Sequence, residues 1–350
     1  MREITIAGIR VADDTRAVVV GDVGHNPGGD VTLACDMALA AYENGADIVK
    51  FQTRTNPKDV YQKDMYNRPV EGPQYFGKTY GQHREYIEFT EEEWHTIFEF
   101  CRCAGIPAIS TPFSFRAVDL LESCGVPAYK VASGDANNIP FLRYIASKGK
   151  PMIVSTGGCT WGEVERVEST LRNSGVPFAL LQCTCTYPPP DEALQLHVIE
   201  DYRNQWPEVV TGLSCHSPTW WPALAAYALG GRIFEWHFTT DRTLKGTDNC
   251  FSLTPTMLLD MRTALDMTHA AMGGGRKNVQ PCEIEPTIDR RKSLVWACDV
   301  PGGTTVRPEH IVLKCPGTGL GPEHLMTAIG RITDCDVKTD EFVRVSEVAW

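Results

Sequence analysis

Residues able to do chemistry stand at the ends of short apolar runs in this sequence. His216 closes VVTGLSCH, and His237 falls near the end of RIFEWHFT. Side chains alternate along a strand, so Ser214 shares a face with His216, and Glu235 shares one with His237. Cys215 and Trp236 then face the opposite way. If the two runs are neighbours, both imidazoles reach one divalent ion, and two imidazoles leave open the positions a catalytic metal needs. The bland alternative is two hydrogen-bonded histidines. Lys50 and Lys130 close two other runs, and a buried lysine is costly unless an anion pairs with it. With Thr111, Ser133, Ser155, Thr156 and Ser214 they make a set of cations and hydroxyls suited to phosphate and carboxylate. The competing explanation is internal pairing with Asp22, Asp135 or Glu235. Asn26, Gln52 and Tyr187 add polar groups at other run ends.

Eight β-branched or apolar runs must position these groups: 17–24, 47–53, 106–113, 128–134, 151–157, 178–184, 209–216 and 232–239. Amphipathic stretches lie between most of them, at 31–44, 91–103, 115–124 and 161–173, each with a glycine near its end as a stop signal. Alternating strands and helices predict a parallel sheet covered by helices. Eight units and no GxGxxG after the first strand favour a TIM (β/α)8 barrel over an open doubly wound sheet. Chemistry in a barrel sits at the C-terminal ends of the strands, where these polar residues fall. The stretch 54–89 is long and rich in Tyr, Pro and Gly, which suggests a functional loop or small insertion. The expected division is a barrel over 1–272, a Gly-rich linker over 273–284 and a small β-rich domain over 285–350. Its β-like runs are SLVWACDV, HIVLKCPG and EFVRVSEV.

The formal net charge of −11 argues against a nucleic-acid binder and against a membrane-surface protein. No apolar run approaches the ~18–20 residues of a membrane span. MREITIAGIR lacks the apolar core of a secretory signal. The 13 cysteines are odd in number and scattered, so reduced thiols and a cytoplasmic location are expected. Cys101/Cys103 and Cys183/Cys185 are CxC pairs without zinc-ribbon spacing.

DVGHNPGGD, NGADIVKFQT, STPF, YKVASGDANN, VSTGG, CTCTYPPP, GLSCHS, EWHFTTDRTLKGTDN and LKCPGTGL together resemble the N-acetylneuraminate (sialic acid) synthase family, in order and spacing, from about residue 17 to 345. The tail resembles that family's antifreeze-like (SAF) domain. The resemblance implies a metal-dependent, aldol-type condensation of phosphoenolpyruvate with a sugar aldehyde, giving a 2-keto acid and phosphate. It implies Lys50, Thr111, Lys130, Ser133, Ser155, Thr156 and Ser214 around phosphoenolpyruvate. His216 and His237 would hold the metal: manganese first, with magnesium, cobalt or zinc as alternatives. Asp22, Asp135 and Glu235 are the carboxylates available for proton transfer. A domain-swapped homodimer is implied as well.

Departures from the family pattern cluster where its members hold the acceptor, a region that here includes Asn26, Gln52, Tyr187, Asp248 and Cys315. Asp22 replaces a glutamate one methylene longer, and Pro27 replaces a histidine. Trp236 stands where lysine is usual, and Cys185 and Cys215 replace polar residues. Cys315 stands where sialate synthases carry an arginine that reaches the sugar's N-acetyl group. The three cysteines read as small, weakly polar filler. The expected acceptor is therefore a sugar or other aldehyde different from N-acetylmannosamine. A genuine N-acetylneuraminate, legionaminate or pseudaminate synthase, and a non-catalytic phospho-ligand binder, are the competing readings.

Overall fold

The computed structural model describes residues 2–348. They form two compact units, Met1–Gly273 and Gly274–Trp350.

The first unit opens with a hairpin, β1 (Glu3–Ile6) and β2 (Ile9–Ala12), paired antiparallel through Ala7 and Gly8. Both turn residues have positive φ, 51° and 82°, the backbone a two-residue hairpin needs. Eight parallel strands follow: β3 (Val18–Gly24), β4 (Ile48–Thr53), β5 (Ala108–Pro112), β6 (Tyr129–Val131), β7 (Met152–Ser155), β8 (Phe178–Cys183), β9 (Val210–Cys215) and β10 (Ile233–His237). They close in the order β10-β3-β4-β5-β6-β7-β8-β9. This is the TIM barrel expected from the eight runs.

The strands are buried on both faces, which is why they read as nearly continuous apolar runs. Val18, Val20, Ile48, Ile109, Ile153, Leu181 and Ile233 fill the barrel interior, together with Ile4, Ile6 and Val11 of the hairpin. The hairpin thus plugs one end of the barrel. Val19, Val49, Val154, Leu213, Cys215 and Trp236 pack outward with the helices. Cys215 and Trp236 accordingly face away from the barrel axis, and the Trp236 indole donates to the carbonyls of Ser217 and Thr219.

The helices start at side-chain caps. Asp30 accepts from the Leu33 amide ahead of the helix Val31–Glu43, and Thr90 with Glu93 forms a capping box for Glu91–Cys103. The long connection after β4 holds three short helices, Pro57–Val60, Lys63–Tyr66 and Tyr80–Ile87. Among the described residues no helix is long and apolar enough to cross a membrane.

The second unit contains one antiparallel pair, β11 (Ser293–Trp296) and β12 (Ile311–Lys314). Trp296 is fully buried with Leu294, Val300, Val337 and Val343, and its indole donates to Glu347. The sequence suggested a third strand at EFVRVSEV. That segment instead makes isolated bridges, Val295 with Phe342 and Thr333 with Val348, and a short 3-10 turn at Val345–Glu347. A helix, Ile284–Arg290, occupies the end of the expected linker and the start of the expected β-rich domain.

Candidate active site

The C-terminal ends of the barrel strands surround a cavity of about 630 Å³. Strand register sets its floor. Asp22 lies beside Lys50 on β3 and β4, Glu235 beside Ser214 on β10 and β9, and His237 beside Asp22.

Lys50 Nζ is 2.8 Å from Asp22 Oδ2 and 3.8 Å from Glu235 Oε1, and it donates to Thr111 Oγ1 at 3.3 Å. Lys130 Nζ donates to Ser155 Oγ at 2.6 Å and to the Val131 carbonyl, and lies 3.8 Å from the same Glu235 oxygen. Internal pairing is therefore close for Lys50 and looser for Lys130. Burial pushes the Lys130 ammonium below its ordinary pKa, against the pull of Glu235. Burial would raise Asp22, but Lys50 and then His237 hold it below the usual carboxylate range. Ser214 donates to Glu235 Oε1. Three buried polar atoms here lack a hydrogen-bond partner: Asp22 Oδ1, Glu235 Oε2 and His237 Nδ1.

Ser133 lines the cavity and accepts from the Gly157 amide at 3.0 Å. A side chain at Gly157 would come within 2.6 Å of Cys185 Sγ and 2.9 Å of Ser133 Oγ, so this approach admits only glycine. Asp135 also lines the cavity, but its carboxylate accepts from Asn138 and contacts neither lysine. Burial raises its pKa.

The rings of His216 and His237 are 5.4 Å apart. His216 Nδ1 donates to the Thr184 carbonyl at 3.1 Å, which leaves Nε2 as the free lone pair. Burial lowers its pKa to about 3, so the ring is neutral, as a ligand must be. His237 Nδ1 lies 3.5 Å from Asp22 Oδ2 and 3.8 Å from Asp248 Oδ2. Tyr187 covers His216, with ring centroids 4.1 Å apart. A neutral His216 and the neighbouring His237 beside the unpartnered oxygens Asp22 Oδ1 and Glu235 Oε2 fit a divalent cation. Among the described residues, no three His, Cys, Asp or Glu side chains are grouped to hold a metal. His216 and His237 are the two residues that would hold such an ion, with its other positions open.

Two of the expected contact residues lie elsewhere. Thr156 follows Ser155 and so points outward; its hydroxyl bonds the Leu181 carbonyl and Tyr202 rather than the cavity. Asn26 is buried and braces the loop after β10 through the Phe238 carbonyl and Ser252 Oγ. Cys315 belongs to the second unit, exposed, with its thiol toward the Arg290 carbonyl.

Sequence reasoning missed His25, Arg54, Tyr61, Tyr80, Arg84 and Thr247, all of which line the cavity. His25 contacts Thr247 at 3.1 Å and Asp248 Oδ2 at 3.4 Å. Burial lowers it to about 3, with Asp248 pulling the other way. Burial would raise Asp248, but His25 and then His237 hold it well below the carboxylate range. Gln52 joins two levels of the site: Nε2 donates to Asp22 Oδ2, and Oε1 accepts from Arg54. The signal for the missed residues was their place just after β3 and β4, in the Tyr-rich connection and, for Thr247, in the loop after β10.

A closed barrel with cations, carboxylates, hydroxyls and two histidines at the strand ends has the layout of a barrel enzyme acting on a polar small molecule. The model of the NeuB family matches residues 37–277, and the chain belongs to that family. It is 31% identical over 331 residues to an N-acetylneuraminate-9-phosphate synthase of Mus musculus, covering 94% of this chain and 92% of the relative. It is 30% identical over 325 residues to an N,N'-diacetyllegionaminic acid synthase of Legionella pneumophila, covering 89% of each. In structure it is similar to an N-acetylneuraminic acid (sialic acid) synthetase of Leptospira borgpetersenii in complex with citrate. The TM-score is 0.72 and the identity 28%, over 81% of this chain and 95% of that one. The family resemblance read from the motifs is thereby shown.

Proposed function

We propose that this chain condenses phosphoenolpyruvate with a sugar aldehyde, as a sialic-acid-synthase-like transferase, and releases phosphate. The observation that carries the reading is the buried group of Lys50, Lys130, Thr111 and Ser155 around Asp22 and Glu235. It suits a donor that carries both a carboxylate and a phosphate. Lys50 and Lys130 neutralise those groups, and the hydroxyls of Thr111, Ser133, Ser155 and Ser214 orient them. C3 of the enol ether bonds to the aldehyde carbon, and the aldehyde oxygen takes up a proton. Water adds at C2 and gives up its proton, and the C2–O bond to phosphate then breaks. Asp22, Glu235 and Asp135 would serve these proton transfers; Asp22 and Glu235 each keep an unpartnered oxygen, and Asp135 accepts from Asn138. A divalent cation held by His216 and His237, manganese first, would supply Lewis-acid polarisation of the aldehyde.

The acceptor is proposed to differ from N-acetylmannosamine. Asp22 is a methylene shorter than the family's glutamate, and an uncharged thiol at Cys315 is a weak donor where the family has a guanidinium. Losing one charge-assisted hydrogen bond costs roughly 1.5–3 kcal/mol, or ~10- to 100-fold in kcat/KM. A domain-swapped homodimer in the cytoplasm completes the proposal. The test is phosphate release with phosphoenolpyruvate and manganese over a panel of aldoses. A kcat/KM for N-acetylmannosamine above all the others restores a genuine sialate-type synthase. Phosphoenolpyruvate binding without release on any aldehyde favours the non-catalytic reading.

A further inference from the structure

The cavity's four strong cations are not treated alike. Lys50 and Lys130 have carboxylate oxygens at 2.8 Å and 3.8 Å. Arg54 and Arg84 also line the cavity, yet among the described residues neither guanidinium has a carboxylate at ion-pair distance. Arg54 is only 4% exposed. Its Nε donates to Tyr61 Oη, its Nη2 to Gln52 Oε1, and its face lies 3.8 Å over the Phe113 ring. No acceptor among the described residues takes its Nη1. The half-buried carboxylate of Glu88 accepts from the Arg54 main-chain amide and from the Trp94 indole, not from the guanidinium. Arg84 Nε and Nη2 donate to Tyr80 Oη, and Nη1 lies 3.4 Å from His25 Nδ1. The Tyr61 and Tyr80 rings meet edge-on at 5.0 Å, so the two arginines are fixed by one aromatic pair. Arg54 is buried and Arg84 half-buried, and the carboxylates that act on them, Glu88 on Arg54 and Asp248 on Arg84, do so from beyond ion-pair distance, so an arriving anion would make the close pairing that the chain leaves open.

Depth separates this pair from the lysines. Arg54 is four residues beyond Lys50 along β4 and its exit, ~13 Å at ~3.3 Å per residue. Gln52 bridges the two levels.

We infer that Arg54 and Arg84 form a subsite for an anionic group, phosphate or carboxylate, on the acceptor sugar. This rests on the reading that the lysine floor holds phosphoenolpyruvate and that the aldehyde enters above it. The acceptor class is then a phosphorylated aldose or a sugar acid, oriented by a bidentate guanidinium fork at the end remote from its aldehyde.

The test pairs mannose with mannose 6-phosphate and with mannuronate, for the wild type, Arg84→Gln and Arg54→Lys. Phosphate release is measured, and phosphoenolpyruvate binding is followed separately by calorimetry. One charged member of the set should exceed mannose in kcat/KM, and which one identifies the anion. Arg84→Gln should raise the KM of that acceptor ~10- to 100-fold, the range for a lost charge-assisted bond, while shifting phosphoenolpyruvate affinity far less. Arg54→Lys keeps the charge but loses the fork, and should show a smaller rise. Mannose turned over as well as its charged relatives overturns the inference and leaves the condensation reading standing. Equal losses for donor and acceptor in Arg84→Gln also overturn it, since the arginines would then serve phosphoenolpyruvate. Calorimetric binding of phosphoenolpyruvate without release on any aldose sinks the condensation reading itself.

Discussion

Asp22 Oδ2 lies 2.8 Å from Lys50 Nζ, with both residues 2% exposed, while Asp22 Oδ1 has no partner. One oxygen thus neutralises the lysine and the other is left for substrate, water or metal. Asp22→Asn would leave Lys50 with Glu235, at 3.8 Å, as its one carboxylate. Breaking a buried pair costs about 3–5 kcal/mol, so chemical denaturation should show a loss of that order. The double variant Asp22→Asn/Lys50→Met should recover much of it, because no buried charge is then left alone. Additive losses in the double variant would refute the pairing.

The donor assignment makes a prediction at Lys130. Its ammonium is buried, below its ordinary pKa, and bound to Ser155. Lys130→Met should weaken phosphoenolpyruvate binding by ~2–5 kcal/mol, the range for truncating one partner of a buried charge pair. Calorimetry with unchanged circular dichroism is the check. Unaltered affinity would remove Lys130 from the donor site.

All eight barrel strands were legible because parallel strands buried on both faces read as apolar runs, and their ends located Lys50, Lys130, His216 and His237. Neighbouring polar residues were harder to separate. Ser155 and Thr156 are both hydroxyls at one strand end, yet alternation turns only Ser155 inward and leaves Thr156 on Tyr202. Arg54, Arg84 and His25 were missed because they sit in turns and in the connection after β4, where no period applies. The hairpin β1–β2 was missed although Ile4, Ile6, Ile9 and Val11 alternate around Ala7-Gly8. Its strands are only four residues each, within a charged N-terminus.

That hairpin gives a stability prediction. Ile6 is fully buried among Val18, Val20 and Ile233 at the closed end of the barrel. Ile6→Ala should cost about 2–5 kcal/mol by urea denaturation, since the barrel end cannot collapse into the space. Thr5→Ala on the exposed face should stay within about 0.5 kcal/mol. Equal effects at both positions would show that the hairpin does not close the barrel.

The histidine pair predicts metal dependence. His216→Ala and His237→Ala should each abolish turnover with the fold intact, and chelator should do the same to the wild type, reversibly on adding manganese. Thr184 holds His216 through its carbonyl, so His216→Gln should also lose metal even though its side chain can still hydrogen-bond. Metal affinity measured directly on the variants separates ligand loss from misfolding. Full activity in chelator would end the assignment.

Cys185 supplies a pH prediction away from the histidines. It lines the cavity beside Cys183 and is exposed. A hydrogen bond from Cys183 is the largest influence on the thiol and lowers its pKa to about 6, against the effect of burial. Its partner Cys183 is raised well above the ordinary range. A thiolate forms as pH rises through its pKa, so iodoacetamide labelling of Cys185 should climb between about pH 5 and pH 7 and level off above. The exposed Cys103, raised by its hydrogen bond to Glu99, should lag far behind at pH 7. Phosphoenolpyruvate should slow labelling of Cys185 and not of Cys103, because of these two only Cys185 lines the cavity. Peptide mapping after timed alkylation reads each site. A Cys185 profile that rises only above about pH 8, like a free thiol, would refute the Cys183 hydrogen bond as its cause.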